Sequence, residues 1–392
     1  MTVKIEEIVE EAVELPELPR KVAELPKKKP KERARLSRTS VLELVSAMKN
    51  LLDQDSGVIE AFVLSEVAGL PVLLVGPHGS GKTTMVKALY SSLTLGDKPL
   101  QWRYVNVKEG QTEYMVFARP HFGKLVQGVE EWVPLAVGCD AVFIDEVFRN
   151  TRIFAALNEA LEEGTFEGLL VKWKFISAAT NPPNQYYRTV ELLNYADLDR
   201  FAVIIEVEDR GLDFADKLAE SFTPDTGIKV DASNLEKVRD EIRSTRVSGK
   251  ALLLAKLMVA AFSVCSFEPV SGGGRPPTIY NKFAVIEDLK CYRCVYQKHS
   301  ICPRYALAPK RAIRSLIALA KARAWVLGRE VEEGDVAWAF RFTVPGRTAV
   351  ISNELKELLP TYGALYERMM DDFSRWYEDN KAYLDPKAAL AR

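Results

Sequence analysis

The residues best suited to chemistry stand eight in a row. Gly76-Pro77-His78-Gly79-Ser80-Gly81-Lys82-Thr83 sets three glycines around one lysine, directly after the apolar run Val72–Val75 and ahead of a helical pattern. Glycine lets the backbone fold back until successive N–H groups point inward, a concavity suited to anionic oxygens. A helix that starts at the end of the loop aims its positive pole at the same point. Lys82 is then within reach of the β- and γ-phosphates of a nucleotide, and the Thr83 hydroxyl can ligate magnesium. The expected nucleotide-binding residues run from Gly76 to Thr84. Nothing in the pattern needs the imidazole of His78.

About sixty residues later, Ala141-Val142-Phe143-Ile144 ends in Asp145 and Glu146. An apolar strand buried beside the first would bring both acids to the phosphates. Asp145 can hold magnesium through water, and Glu146 can orient and polarise an attacking water. A third apolar run, Phe175–Ala179, leads to Thr180, Asn181 and Pro182. Asn181 would lie near the γ-phosphate; an Asn-Pro pair is also an ordinary turn former.

These residues need a scaffold. Short apolar runs at Leu70–Val75, Tyr104–Val107, Ala141–Ile144, Phe175–Ala179 and Ala202–Val207 alternate with helical patterns such as Val41–Leu52 and Thr83–Leu93. Alternation of this kind predicts an α/β fold with a parallel sheet. After about residue 211 the strand signals fade, and Asn234–Arg243, Gly249–Val264, Arg311–Leu327 and Glu333–Phe342 read as helices of a smaller domain. Ser352–Tyr383 is helical and aromatic-rich, which suits packing against that domain.

The order GPHGSGKT, AVFIDEVFRN, AATNP and LDRF resembles the AAA+ ATPases of the MoxR type, over roughly residues 45–345. The phosphate loop alone is shared by many families; the four motifs together are more specific. The resemblance implies an AAA+ P-loop fold with a parallel sheet core and an all-α lid; with the strand and helix patterns this puts the core over 39–210, the lid over 211–350 and a helical extension over 351–392. It makes the first two motifs Walker A and Walker B. It implies ATP hydrolysis with magnesium in a homo-hexameric ring that remodels a client protein, often with a von Willebrand factor A domain partner. No DxSxS signature occurs in the 392 residues, so that partner would be a separate protein. By the same resemblance Asn181 matches the sensor 1 asparagine, and Arg200 matches the arginine finger that acts on a neighbouring subunit's nucleotide. Arg311 matches the sensor 2 arginine. An extra Lys310 stands before Arg311, so either cation could serve there. Glu113–Gly138 falls where the helix 2 insert clade carries its substrate-facing insert. Nucleic-acid motors and metal-chelatase motor subunits share much of this pattern and are the alternatives.

Composition bounds the rest. With 53 basic and 54 acidic residues, the formal net charge is −1, so no global field points to nucleic acid or membrane. No apolar run is long enough to span a bilayer, and the N-terminus lacks a signal-peptide pattern; a cytoplasmic protein is expected. Residues 1–38 read as a charged, proline-broken arm, with seven basic residues in Lys27–Arg38. Outside the family pattern, Cys291, Cys294, His299 and Cys302 gather within twelve residues. Such a set could close a structural zinc site; free thiols and an iron–sulfur cluster are the other readings. Cys139 and Cys265 read as buried thiols.

Overall fold

The computed structural model describes residues 34–52, 54–182, 195–208, 225–263, 301, 304–350 and 361–384. The N-terminal arm and Cys291, Cys294, His299, Cys302 and Cys265 lie outside the described residues, apart from 34–38. Helices α1 (Arg38–Leu51) and α2 (Ser56–Ala68) precede β1 (Val72–Val75), and α3 (Lys82–Ser92) follows it. Then come β2 (Trp102–Asn106), a hairpin of β3 (Ala118–Pro120) and β4 (Trp132–Pro134), β5 (Ala141–Asp145) and α4 (Thr151–Glu163). Strands β6 (Phe175–Thr180) and β7 (Val203–Glu206) complete the sheet. The later helices are α5 (Leu235–Ser244), α6 (Gly249–Phe262), α7 (Pro309–Val326), α8 (Glu333–Thr343) and α9 (Tyr362–Leu384).

The main sheet is parallel throughout, in the order β7-β1-β6-β5-β2. Strands β1, β5, β6 and β7 are largely apolar on both faces, as a parallel sheet covered on both sides requires, while the edge strand β2 is partly exposed. Residues alternate between two cores. Val72, Leu74, Phe143, Phe175 and Ile205 face α1, α2, α3 and the C-terminal helices; Leu73, Val75, Val142, Ile144 and Ala178 face Ile153, Phe154 and Leu157 of α4. Register aligns the strand tips: Val75 pairs with Thr180, and Asn106 with Asp145. Gly76, Asn181 and Glu146 therefore leave the sheet from the same edge, where open α/β sheets bind ligands.

Helix α2 is buried nearly all round, against α1, α5, α7 and β7. It carries Glu66 into the core. Ser177 Oγ of β6 donates to the Glu66 carboxylate, and the Tyr90 hydroxyl of α3 lies 3.3 Å from Glu66 Oε1 and 3.2 Å from Ser177 Oγ. Burial raises the Glu66 pKa to about 7, with Ser177, the Arg239 charge and Tyr90 acting the other way. The native state thus holds a proton that the unfolded chain gives up near pH 4.3, so stability is full below that pH and falls as pH rises toward and through 7, by roughly 3 kcal/mol. Glu66→Gln should therefore gain stability over the wild type at pH 8.5 and much less at pH 5. A urea-midpoint difference that is equal at both pH values would remove this account.

Helix α9 packs through Met369, Phe373 and Trp376, which are buried. Its Asp372 takes both Arg304 (2.9 and 3.0 Å) and the Tyr305 hydroxyl (2.8 Å). Cys139 is half-buried, with its thiol 3.5 Å from the Leu135 carbonyl, and so is more open than its sequence context predicts.

Candidate nucleotide site

The loop between β1 and α3 has the conformation its sequence demands. Gly79 (φ 85°) and Gly81 (φ 89°) are left-handed, and Gly81 caps α3. A Cβ at Gly76 would lie 2.3 Å from the Val207 carbonyl oxygen, so no other residue fits beside β7. Lys82, only 7% exposed, donates from Nζ to the carbonyls of Gly76 and Pro77, both at 2.7 Å. Burial lowers its pKa, and the charges of Asp145 and Glu146 oppose that. Thr84 sits half-buried in the first turn of α3.

Thr83 Oγ1 and Asp145 Oδ2 are 3.4 Å apart. A hydroxyl and a carboxylate meeting at a phosphate loop are the hard oxygen donors that magnesium takes, so the residues present fit the ion. The Tyr104 hydroxyl donates to the same Asp145 oxygen at 3.0 Å. Burial and the Asp145 charge push the Tyr104 pKa up to about 12, which keeps it a donor.

Glu146 is left-handed at φ 55°, ψ 42°, unusual for a residue with a side chain. Its backbone N–H donates to Asp145 Oδ1 at 3.0 Å, and its carboxylate is ion-paired with Arg149. The left-handed turn breaks the strand alternation that would send two adjacent acids to opposite faces, and the charges of both act on Lys82. Asn181 Nδ2 lies 3.1 Å from His78 Nε2, so the third strand tip touches the phosphate loop directly. His78 thus has a structural contact that the loop pattern alone did not require.

Arg200 and Arg311 meet around a different set of acids. Glu162 at the end of α4 takes Arg311 at 2.8 Å and Arg200 at 3.6 Å. Arg200 also pairs with Asp197 at 3.4 Å, and Arg311 with Asp199 at 3.8 Å. Lys310 is exposed beside them in the first turn of α7. Tyr104, Arg149, Glu162 and Asp199 are site residues that the motifs alone did not single out, although Arg149 lies within AVFIDEVFRN and Asp199 within LDRF.

The hairpin β3–β4 pairs Ala118 with Pro134 and Pro120 with Trp132. Between its strands Phe122 (68%), Leu125 (49%), Val126 (89%) and Val129 (50%) are exposed. Among the described residues, no cluster of three or more His, Cys, Asp or Glu is arranged for a metal, and no helix is long and apolar enough to cross a membrane.

A parallel sheet whose strand tips gather a glycine loop, a lysine and a carboxylate pair, followed by a helical portion, is the AAA+ α/β fold with its all-α lid. Residues 71–211 match the family model for the AAA domain of the dynein-related subfamily. The solved structure of a putative ATPase from Cytophaga hutchinsonii is similar in fold, with a TM-score of 0.63 at 17% identity over 86% of this chain and 94% of that one. No curated protein sequence matches the chain.

Proposed function

We propose that this chain is a magnesium-dependent ATPase that works as a homo-hexameric ring and couples hydrolysis to movement of a client protein, in the manner of the MoxR type. One observation carries the reading: Lys82, Thr83, Asp145 and Glu146 converge at a single edge of the sheet, on a loop with the required left-handed glycines. Bound Mg·ATP supplies the scissile phosphoanhydride and a divalent countercharge. The loop N–H groups and Lys82 hold the phosphates, and Thr83 with Asp145 holds the ion. Glu146 orients and polarises water, and Asn181 steadies it. Phosphoryl transfer depends mostly on positioning and charge neutralisation, and Arg200 of a neighbouring copy supplies the last positive charge. Arg311 sits beside Arg200 and shares Glu162 with it, so it serves the same intersubunit face. The apolar hairpin tip at Phe122–Val129 is the surface offered to the client. A von Willebrand factor A domain protein is the adaptor that the resemblance suggests.

The ring is tested by mass and rate together. With Mg·ATP, the particle mass should become a multiple of 44.0 kDa, and turnover per chain should climb with chain concentration. Full turnover by a 44.0 kDa species at high dilution would end the ring reading.

A further inference from the structure

Arg347 lies in the turn Pro345–Arg347, directly after α8. The turn is seated on β7, where a Cβ at Gly346 would come 2.8 Å from Ile204 Cγ2. The Arg347 side chain is wholly buried, yet it is a guanidinium. A charge so placed must be paired and hydrogen-bonded. Its Nη1 donates to Asp199 Oδ1 at 3.2 Å, and its Nη2 donates to the carbonyls of Phe201 and Ala202, the latter at 2.9 Å. Those residues flank Arg200 on both sides. Burial lowers the Arg347 pKa to about 10, with the Asp199 charge opposing, so it is a cation at neutral pH.

The charges then alternate outward. Asp199 takes Arg347 and Arg311; Glu162 takes Arg311 and Arg200; Asp197 takes Arg200. Phe201 is fully buried and packs edge-on against Phe148 at 6.2 Å, so the far side of the segment is fixed by apolar contact. Arg347 holds the segment on both sides of Arg200, through Asp199 before it and the Phe201 and Ala202 carbonyls after it.

We propose that Arg347, reaching from the helical portion, is a positioning residue that sets the aim of Arg200 toward the neighbouring copy's nucleotide; this rests on Arg200 acting in trans. A lysine keeps the charge but gathers its donors on one nitrogen, without the planar fork whose two Nη atoms reach Asp199 and the two carbonyls separately. It leaves part of the flanking backbone unheld.

The test uses the full-length chain. Arg347→Lys should lower turnover at saturating Mg·ATP roughly ten- to hundredfold, as a small misplacement of a reacting group does, with KM nearly unchanged. The double variant Arg200→Ala/Arg347→Lys should be no slower than Arg200→Ala. Excess Glu146→Gln chain, which binds ATP without cleaving it and whose Arg200 segment is intact, should restore most of the Arg347→Lys turnover. A purely structural defect would not be rescued in this way. Wild-type turnover in Arg347→Lys, beside a slow Arg200→Ala, overturns the inference and leaves the ring reading standing. Multiplied losses in the double variant, or no rescue, also overturn it. Wild-type turnover in Arg200→Ala overturns both. Should Arg347→Lys melt below the assay temperature, Asp199→Asn replaces it; it leaves Arg347 its two carbonyls and should be slow and rescued alike. Wild-type turnover there overturns the inference.

Discussion

Glu146→Gln should bind ATP as tightly as the wild type and hydrolyse it about 10²–10⁴-fold more slowly, the usual worth of a positioned general base. The binding parts do not pass through its carboxylate. Lys82 is held by the Gly76 and Pro77 carbonyls, and Asp145 by the Glu146 backbone N–H, by Thr83 and by Tyr104. Glutamine keeps the volume and the same backbone cost at φ 55°. It loses the ion pair to Arg149, which keeps Glu109 at 3.9 Å. What it cannot do is accept a proton from water. Nucleotide binding and single-turnover hydrolysis, measured separately, check the split. Turnover within a fewfold of the wild type would remove Glu146 from the chemistry, and weakened ATP binding would move its role to the magnesium shell. A variant that binds and does not cleave also stays in one state, which makes it the form with which to capture a client.

The cradle was legible because its physics is local. Left-handed glycines, a strand before and a helix after are all encoded within a dozen residues, and the same holds for the apolar strands that carry Asp145 and Asn181. The sheet could be expected from alternation, although its order depends on long-range pairing such as Val203 with Val72. Helix α2 escaped notice for a physical reason: Val58, Ile59, Phe62, Val63, Leu64 and Val67 cover its whole circumference, so it has no polar face to give a period. The left-handed turn at Glu146 was hidden because nothing in Asp-Glu-Val requires it. Arg347 was hidden by distance, since Asp199 is 148 residues away in the chain. Charged networks of this kind are written in the fold rather than in any window of sequence.

Arg200→Ala should leave nucleotide affinity unchanged and lower turnover about 10³-fold or more, the range for arginines supplied from outside a site. In this structure its guanidinium is held by Asp197 and Glu162, at a cluster whose acids differ from those around Lys82. On the ring reading proposed above, Arg200 acts on the γ-phosphate of another copy, which takes the place of Glu162, and not on its own protomer's pocket. That makes a result available which no single-chain mechanism can give. Glu146→Gln lacks only the water-orienting group of its own pocket, and Arg200→Ala lacks only what it lends to the next. Mixed, the two slow variants should form interfaces where an intact Arg200→Ala pocket meets an intact Arg200 from Glu146→Gln, and turnover should reappear above that of either alone. If the mixture stays as slow as its components while both bind ATP and assemble, Arg200 acts within its own chain, and hydrolysis in one copy does not depend on the next.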